Sequence, residues 1–395
     1  MKLLSIEPTP SPNSMKLNVD ERWPSGRRVS YTLERRDEAP EPLRGLLGIE
    51  GVRGLFRTAD FIALDRKPGA DWQRILGEAR RLFDAAEADG TGAASGAGGD
   101  GGESAGFGEA HVLVQVYRGI PMQVRVRMGD TEARVALPDQ FGAAVREAAG
   151  GTMIMERKLE EYGVRYGEPD EIAAEVAQEL AAAYTAERLA ELVTAAKAMG
   201  PGESGAAAVP TARPRPLTAE ELAEALDAPD WRVRYAALER TLPELPMLPL
   251  IARALADDNA SVRRLAVVYL GDLRSAEALP HLFAALKDRT AAVRRTAGDT
   301  LSDLGDPAAI GPMIEALRDP NKLVRWRAAR FLYEAGDESA LEALRAAAGD
   351  DEFEVRLQAQ IALERIERGE EAAGSVWQQM TALREGGAAG TSGQE

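Results

Sequence analysis

A Val-Arg pair recurs five times in the second half of this chain, at Val233–Arg234, Val262–Arg263, Val293–Arg294, Val324–Arg325 and Val355–Arg356. The spacings are 29, 31, 31 and 31 residues. An alanine follows each valine by four positions: Ala237, Ala266, Ala297, Ala328 and Ala359. A leucine follows by eight in four of the copies: Leu270, Leu301, Leu332 and Leu363. An aspartate precedes the valine by five in four copies: Asp257, Asp288, Asp319 and Asp350. Offsets of four and eight share one face of an α-helix. A helical unit this short cannot bury its apolar face alone. Successive copies must stack into a solenoid.

The register also maps a surface. With each valine at 0° on a wheel of about 100° per residue, alanine falls near 40° and leucine near 80°. The buried face centres between them. The following arginine lies on the flank, where it reaches an aspartate of a neighbouring turn. Arg263, Arg294, Arg325 and Arg356, with Arg234, are therefore expected to tie repeats together through Asp257, Asp288, Asp319 and Asp350. The next residue lies near 200°, away from the core. In the five copies it is Tyr235, Arg264, Arg295, Trp326 and Leu357. Large and basic side chains on one exposed edge are the expected partner-binding stripe.

Two segments have the composition of linkers: residues 89–110, rich in Gly, Ala and Ser, and residues 201–216, rich in Pro and Ala. They separate three expected domains, at 1–88, 111–200 and 217–384, before a disordered tail at 385–395. The first reads β-β-α-β-β-α. Its strands are 15–19, 28–33, 51–58 and 60–66, with helices at 42–48 and 70–86. Trp72, Ile75, Leu76, Ala79, Leu82 and Phe83 share one helix face. The second reads as strands at 111–118, 122–128 and 131–137, a helix at 138–149 and one long helix from Pro169 to about Ala198. The fold class is thus multidomain: two small α+β domains, then an all-α HEAT-like solenoid.

The segments "EPTPSPNSMKL", "LLGIEGVRGLFRTADFIAL" and "DW" resemble the N-terminal domain of the Nfu/NifU-type iron–sulfur scaffold proteins. The likeness implies a fold and a partner surface. It does not carry over cluster binding, which that family performs through a CxxC pair in a separate domain. "GIPMQVRV" and "YGVRYG" resemble the central domain of the conserved virulence factor C family, which joins an Nfu-like start to this domain and then to helical repeats. The order here is the same. The repeats themselves resemble HEAT repeats of the short type also found in bilin lyases.

The chain has no cysteine, which removes disulfides, thiolate catalysis and sulfur-ligated metals. Its formal charge is −16, which argues against nucleic acid as a partner. No apolar run approaches the ~20 residues of a membrane span, and only four apolar residues precede Glu7. The expected location is the cytoplasm, with no membrane partner.

Candidate chemistry is sparse. "GAGGDG" and "GESAG" fit G-x-G-x-x-G and G-x-S-x-G but sit in the Gly-rich linker, without the strand-to-helix setting either needs. His111 and His281 are the two histidines and read as structural or surface residues. Glu171, Glu175 and Glu179 share a helix face and read as solvated. Arg125 and Arg127, with Arg118 and Arg134 nearby, read as a wet sheet face. The expectation is therefore no catalytic residue, no metal and no cofactor. The expected function is a non-enzymatic protein–protein interaction adaptor. Alternatives are an accessory factor in iron–sulfur assembly acting through a partner, and a small-molecule, lyase-like enzyme built on the solenoid.

Overall fold

Alternation in the first 70 residues is built into a five-stranded antiparallel sheet. The structure, a computed structural model, describes residues 1–8, 13–24, 28–58, 60–67, 70–87, 109–128, 131–149, 156–199 and 215–369. The two glycine motifs and the tail of the sequence reading lie outside them. So do both linkers, apart from residues 109–110 and 215–216.

The strands are β1 (Leu3–Pro8), β2 (Ser14–Val19), β3 (Arg28–Thr32), β4 (Val52–Thr58) and β5 (Phe61–Arg66), in the order β1-β2-β5-β4-β3. Helices α1 (Leu43–Gly48) and α2 (Trp72–Glu87) cover it. Met15, Leu17 and Val19 of β2 and Ile62 and Leu64 of β5 point into a core closed by Trp72, Ile75, Ala79 and Phe83. Sequence reasoning missed β1. It is an edge strand that ends on Pro8, where the missing N–H costs the sheet nothing.

A second antiparallel sheet has the order β8-β7-β6-β9, from β6 (Glu109–Tyr117), β7 (Ile120–Met128), β8 (Thr131–Ala136) and β9 (Arg157–Tyr166). Three helices pack with it: α3 (Asp139–Ala148), α4 (Pro169–Ala183) and α5 (Ala186–Ala198). The expected single helix after Pro169 is two helices. Tyr184 leaves helical geometry, and the Thr185 hydroxyl accepts from the Arg188 N–H at 3.3 Å, capping a new start. Strand β9 was not foreseen. Its sequence, RKLEEYGVRY, has no apolar alternation, and pairing with β6 defines it. Gly163 takes φ 126 where the β6–β9 register shifts.

The remaining helices alternate short and longer: α6 (Ala219–Ala225) with α7 (Trp231–Glu239), α8 (Leu248–Ala254) with α9 (Ala260–Asp272), α10 (Leu279–Ala285) with α11 (Ala291–Leu304), α12 (Ile310–Ala316) with α13 (Lys322–Ala335), and α14 (Leu341–Ala347) with α15 (Phe353–Glu367). The chain is two α+β units followed by an all-α repeat array. Each repeat alanine is buried, as are Val262, Val293, Val324 and Val355. Val233 is the exception at 49% exposed, because no earlier repeat stacks on its helix.

Adjacent repeats are joined by a recurring fork. Arg263 donates through Nε and Nη2 to the two oxygens of Asp288 at 2.7 and 2.9 Å, and through Nη1 to the Asp257 carbonyl at 2.8 Å. Arg294 binds Asp319 in the same way at 2.5 and 2.8 Å, and Arg325 binds Asp350 at 2.7 and 2.9 Å. Arg234 opens the series on Asp257 at 2.6 and 2.8 Å. Each carboxylate also accepts an N–H two residues on: Asn259, Thr290, Asn321 and Glu352. The same oxygen therefore starts the next helix and receives the previous repeat. Among the described residues Arg356 hydrogen-bonds the carbonyls of Asp350 and Asp351 rather than a further aspartate. These pairs are mostly sheltered from water, where charge-assisted bidentate bonds are strong and a widowed partner is costly. Arg294→Met is expected to lower unfolding stability by about 2–4 kcal/mol, read by urea unfolding. Adding Asp319→Asn should cost about 1–2 kcal/mol less than the sum of the single changes. Strict additivity would contradict a coupled rung.

Candidate functional site

The site is the line of residues two places past each repeat valine. Helices α7, α9, α11, α13 and α15 pack side by side, so these positions form one continuous stripe. The expectation was an exposed edge. The structure corrects it. Tyr235, Arg295 and Trp326 are buried, and Arg264 and Leu357 are half-buried. A wheel gives the direction away from the solenoid's own core. It says nothing about what else lies there, and here the chain's own two α+β units cover the stripe.

Helix α4 packs against α7, the helix that carries Tyr235. Next to it the Glu179 carboxylate is fully buried between two arginines. Arg165 donates from Nη1 at 3.3 Å and Nη2 at 2.5 Å. Arg264 donates from Nη2 to both oxygens at 3.1 Å. Burial alone pushes this carboxyl up, but the two guanidiniums outweigh it and hold it below the usual carboxylate range. Burial, reinforced by Glu179, pushes the Tyr235 phenol up. Glu179 was expected to be solvated alongside Glu171 and Glu175. It is instead the link between the second unit and the solenoid.

One repeat further, the ring of Tyr166, the last residue of β9, lies on Arg295, with the guanidinium carbon 3.3 Å from the ring centroid. Arg327 flanks the same ring at 5.9 Å. Asp299 serves both cations, at 2.5 Å from Arg327 and 3.6 Å from Arg295. The next stripe residue, Trp326, packs with Leu323, Val355 and Tyr166. At the end of the stripe the first unit docks. Phe353 and Leu357 pack against its core, and Arg66 donates to Glu354 at 3.1 Å. Arg66 itself is buried over the Trp72 ring at 5.2 Å.

Beside the stripe lies a cleft of about 870 Å³, walled by β9 and α4 on one side and α9 and α11 on the other. Its lining includes Arg264, Arg274, Glu175, Asp272 and Asp303. Glu175, Asp272 and Asp303 are exposed at its mouth, and partial desolvation raises their carboxyls above the ordinary range. Arg274 sits at φ 47. One repeat later Gly305 takes φ 62, the left-handed helix end that glycine adopts at least cost.

The other candidates are placed more simply. Arg127 and Arg134 both donate to Glu132, the former at 2.6 Å, on a polar sheet face. Arg118 does not join them. Its side chain is covered, at 2.7 Å from Glu156, and donates to the Ala196 and Met199 carbonyls. His111 is exposed, 3.9 Å from Glu161. Among the described residues no group of three or more His, Asp or Glu is arranged to hold a metal ion. No helix among them is long and apolar enough to cross a membrane.

Comparison with known proteins matches all three parts. Residues 4–89 match the family "Scaffold protein Nfu/NifU N terminal", and residues 115–193 match "Virulence factor". HEAT repeats match at 219–297, 247–316, 280–364 and 310–381. The chain is 52% identical to "Uncharacterized protein YpgR" of Bacillus subtilis (strain 168), over 98% of this chain and 100% of that one. It is 38% identical to "Conserved virulence factor C" of Staphylococcus haemolyticus, over 96% and 99%. Among solved structures, protein SAV1430 from Staphylococcus aureus is 32% identical over 21% of this chain and 99% of its own, with a TM-score of 0.20.

Glu179→Gln keeps the shape of the buried link and removes its charge. Docking of the second unit is expected to weaken by about 2–4 kcal/mol, seen as faster amide exchange over β9. Because the folded-state pKa of Glu179 is depressed, its contribution is complete above the unfolded value of about 4.3 and fades as pH falls through the folded one. Protection of β9, corrected for intrinsic rate, should be level from pH 6 to 8 and drop in acid below about pH 4. Equal protection of the two proteins at pH 6 would contradict the assignment.

Proposed function

The chain belongs to the conserved virulence factor C family, and on that premise we propose that it is a non-enzymatic adaptor whose repeat array holds folded protein surfaces together. One observation carries the reading. The stripe engages two separate α+β units through side chains from all five repeats: Tyr235, Arg264, Arg295, Trp326 and Leu357. A face that mixes aromatic anchors with arginines has the composition of a protein-recognition surface. The fork between repeats keeps that face in register over its length. The match of residues 4–89 to the Nfu/NifU N-terminal family supports a partner surface on the first unit as well.

Cross-linking mass spectrometry on the tagged full chain in its native cell tests this reading. Partner peptides tied to solenoid lysines such as Lys287 and Lys322, both on its exposed side, are the expected result. Recovery of links within the chain alone would contradict it.

A second reading is favoured by the cleft. Glu175, Asp272 and Asp303 line a volume of about 870 Å³, and their carboxylates are the groups that would meet a small cationic ligand, the setting a solenoid enzyme would need. Thermal unfolding of the full chain with spermidine separates the two. A saturable rise in Tm that Asp303→Asn abolishes would support ligand handling. A flat response removes it.

A further inference from the structure

Strand β9 (Arg157–Tyr166) is the outer strand of the second sheet. The order is β8-β7-β6-β9, and among the described residues no strand pairs with it on the side away from β6. An edge strand turns backbone N–H and C=O groups outward and is a template for another strand. From Arg157 to Glu161 the pairing with β6 runs without a shift. Residues 157–162 are all exposed, with Leu159 39% exposed in their middle. The stretch is bounded on both sides. Glu156 is buried in an ion pair with Arg118, and Gly163, at φ 126 beside the register shift, bends the strand beyond it.

Edge strands are ordinarily kept from pairing by their charges. Here the charges run Arg157-Lys158-Leu159-Glu160-Glu161. That order is complementary to itself read backwards. A two-fold axis at Leu159 lays a second copy antiparallel and sets Arg157 opposite Glu161, Lys158 opposite Glu160, and Leu159 opposite its own copy. Each ion pair is made twice by symmetry. Glu161, 3.9 Å from His111, is 67% exposed at its side chain and has room for a second cation. The neighbouring registers fail. An axis at Lys158 sets that lysine against itself, and an axis at Glu160 does the same with a glutamate. Opposite charges directly across a sheet are favourable and like charges are not, so one register is selected.

We propose that the chain forms a two-fold homodimer in which residues 157–161 of β9 pair with the same residues of a second copy, joining two four-stranded sheets edge to edge. Main-chain hydrogen bonds supply the attraction and the charge order supplies the register. A strip this short buries far less than the ~1,200–2,000 Å² of a stable interface, so the association is weak and reversible. The pairing strip is separate from the stripe on the solenoid. Arg165 on Glu179 and Tyr166 on Arg295 lie at the other end of β9. The adaptor reading neither requires the dimer nor falls with it.

Analytical ultracentrifugation of the full chain tests this. Wild type is expected to pass from monomer towards dimer between about 10 and 500 µM, and a monomer throughout that range overturns the proposal. Glu160→Lys sets Lys158 against a like charge on the second copy, twice over, and should raise the dissociation constant at least about ten-fold. Lys158→Glu should do the same. The two changes together restore opposite charges and should return the constant to within about three-fold of wild type. Both positions are exposed, so the monomer keeps its fold. A dimer indifferent to the single reversals, or one that the double change does not rescue, overturns the proposal. The register is read separately with a thiol, because the chain has no cysteine of its own. On the two-fold axis the two copies of residue 159 stand directly opposite, with Cα atoms about 4.5–5.5 Å apart and within disulfide reach. Mild oxidation of Leu159→Cys should give a covalent dimer, while Arg146→Cys, exposed on α3, should remain monomeric. Equal cross-linking of the two variants overturns the proposal.

Discussion

The fork from one repeat's arginine to the next repeat's aspartate is the contact on which the architecture depends. Arg234, Arg263, Arg294 and Arg325 each meet a carboxylate that is already fixed by the backbone N–H starting the next helix. A bidentate pair sets angle as well as distance. The apolar contacts of Val262, Ala266 and Leu270 and their copies supply the drive to stack, but they tolerate sliding more readily than a planar fork does. The rungs therefore fix how each long helix sits against its neighbour. The stripe on those helices follows from that fixed spacing.

With the stripe in register, the two α+β units meet it by different chemistry. The second unit uses charge: Glu179 between Arg165 and Arg264, and Tyr166 over Arg295. The first unit uses mainly apolar contact, through Phe353 and Leu357, with Arg66 and Glu354 at its edge. Breaking either partner of a buried ion pair is costly, yet a buried pair adds less than well-packed apolar groups of the same size. The charged contact is thus suited to orientation. The apolar contact is suited to permanence. The proposed adaptor function would draw on both: a fixed block at one end, and at the other a charged contact that sets orientation.

Much of this was legible in the sequence, for identifiable reasons. A repeat of 31 residues exposes its core positions because the same packing problem is solved several times over. Arg263 and Asp288 could be paired on paper because both fall at constant offsets from the valine. The strands of the first unit could be read because Met15, Leu17 and Val19 alternate. Long-range neighbours could not be read. The stripe points away from its own repeat's core, and nothing in a periodic pattern states that other units cover it. Glu179 stands in an i, i+4, i+8 series with Glu171 and Glu175, which looks like a solvated face until Arg264, 85 residues later, closes over it. Strand β9 is polar along most of its length, so alternation never marks it. The Tyr184–Thr185 break did leave a signal, a threonine at the N-cap of α5, which the helical period on either side concealed.

The central claim is that the chain's own two α+β units cover the stripe. Hydroxyl-radical footprinting of the full wild-type chain reads it side chain by side chain. The account predicts that Trp326 and Tyr235 are modified as slowly as Trp72 in the core of the first unit, while Tyr162 on the exposed part of β9 reacts readily. Modification of Trp326 and Tyr235 at the rate of Tyr162 would mean that the units do not cover the stripe, and would contradict the account.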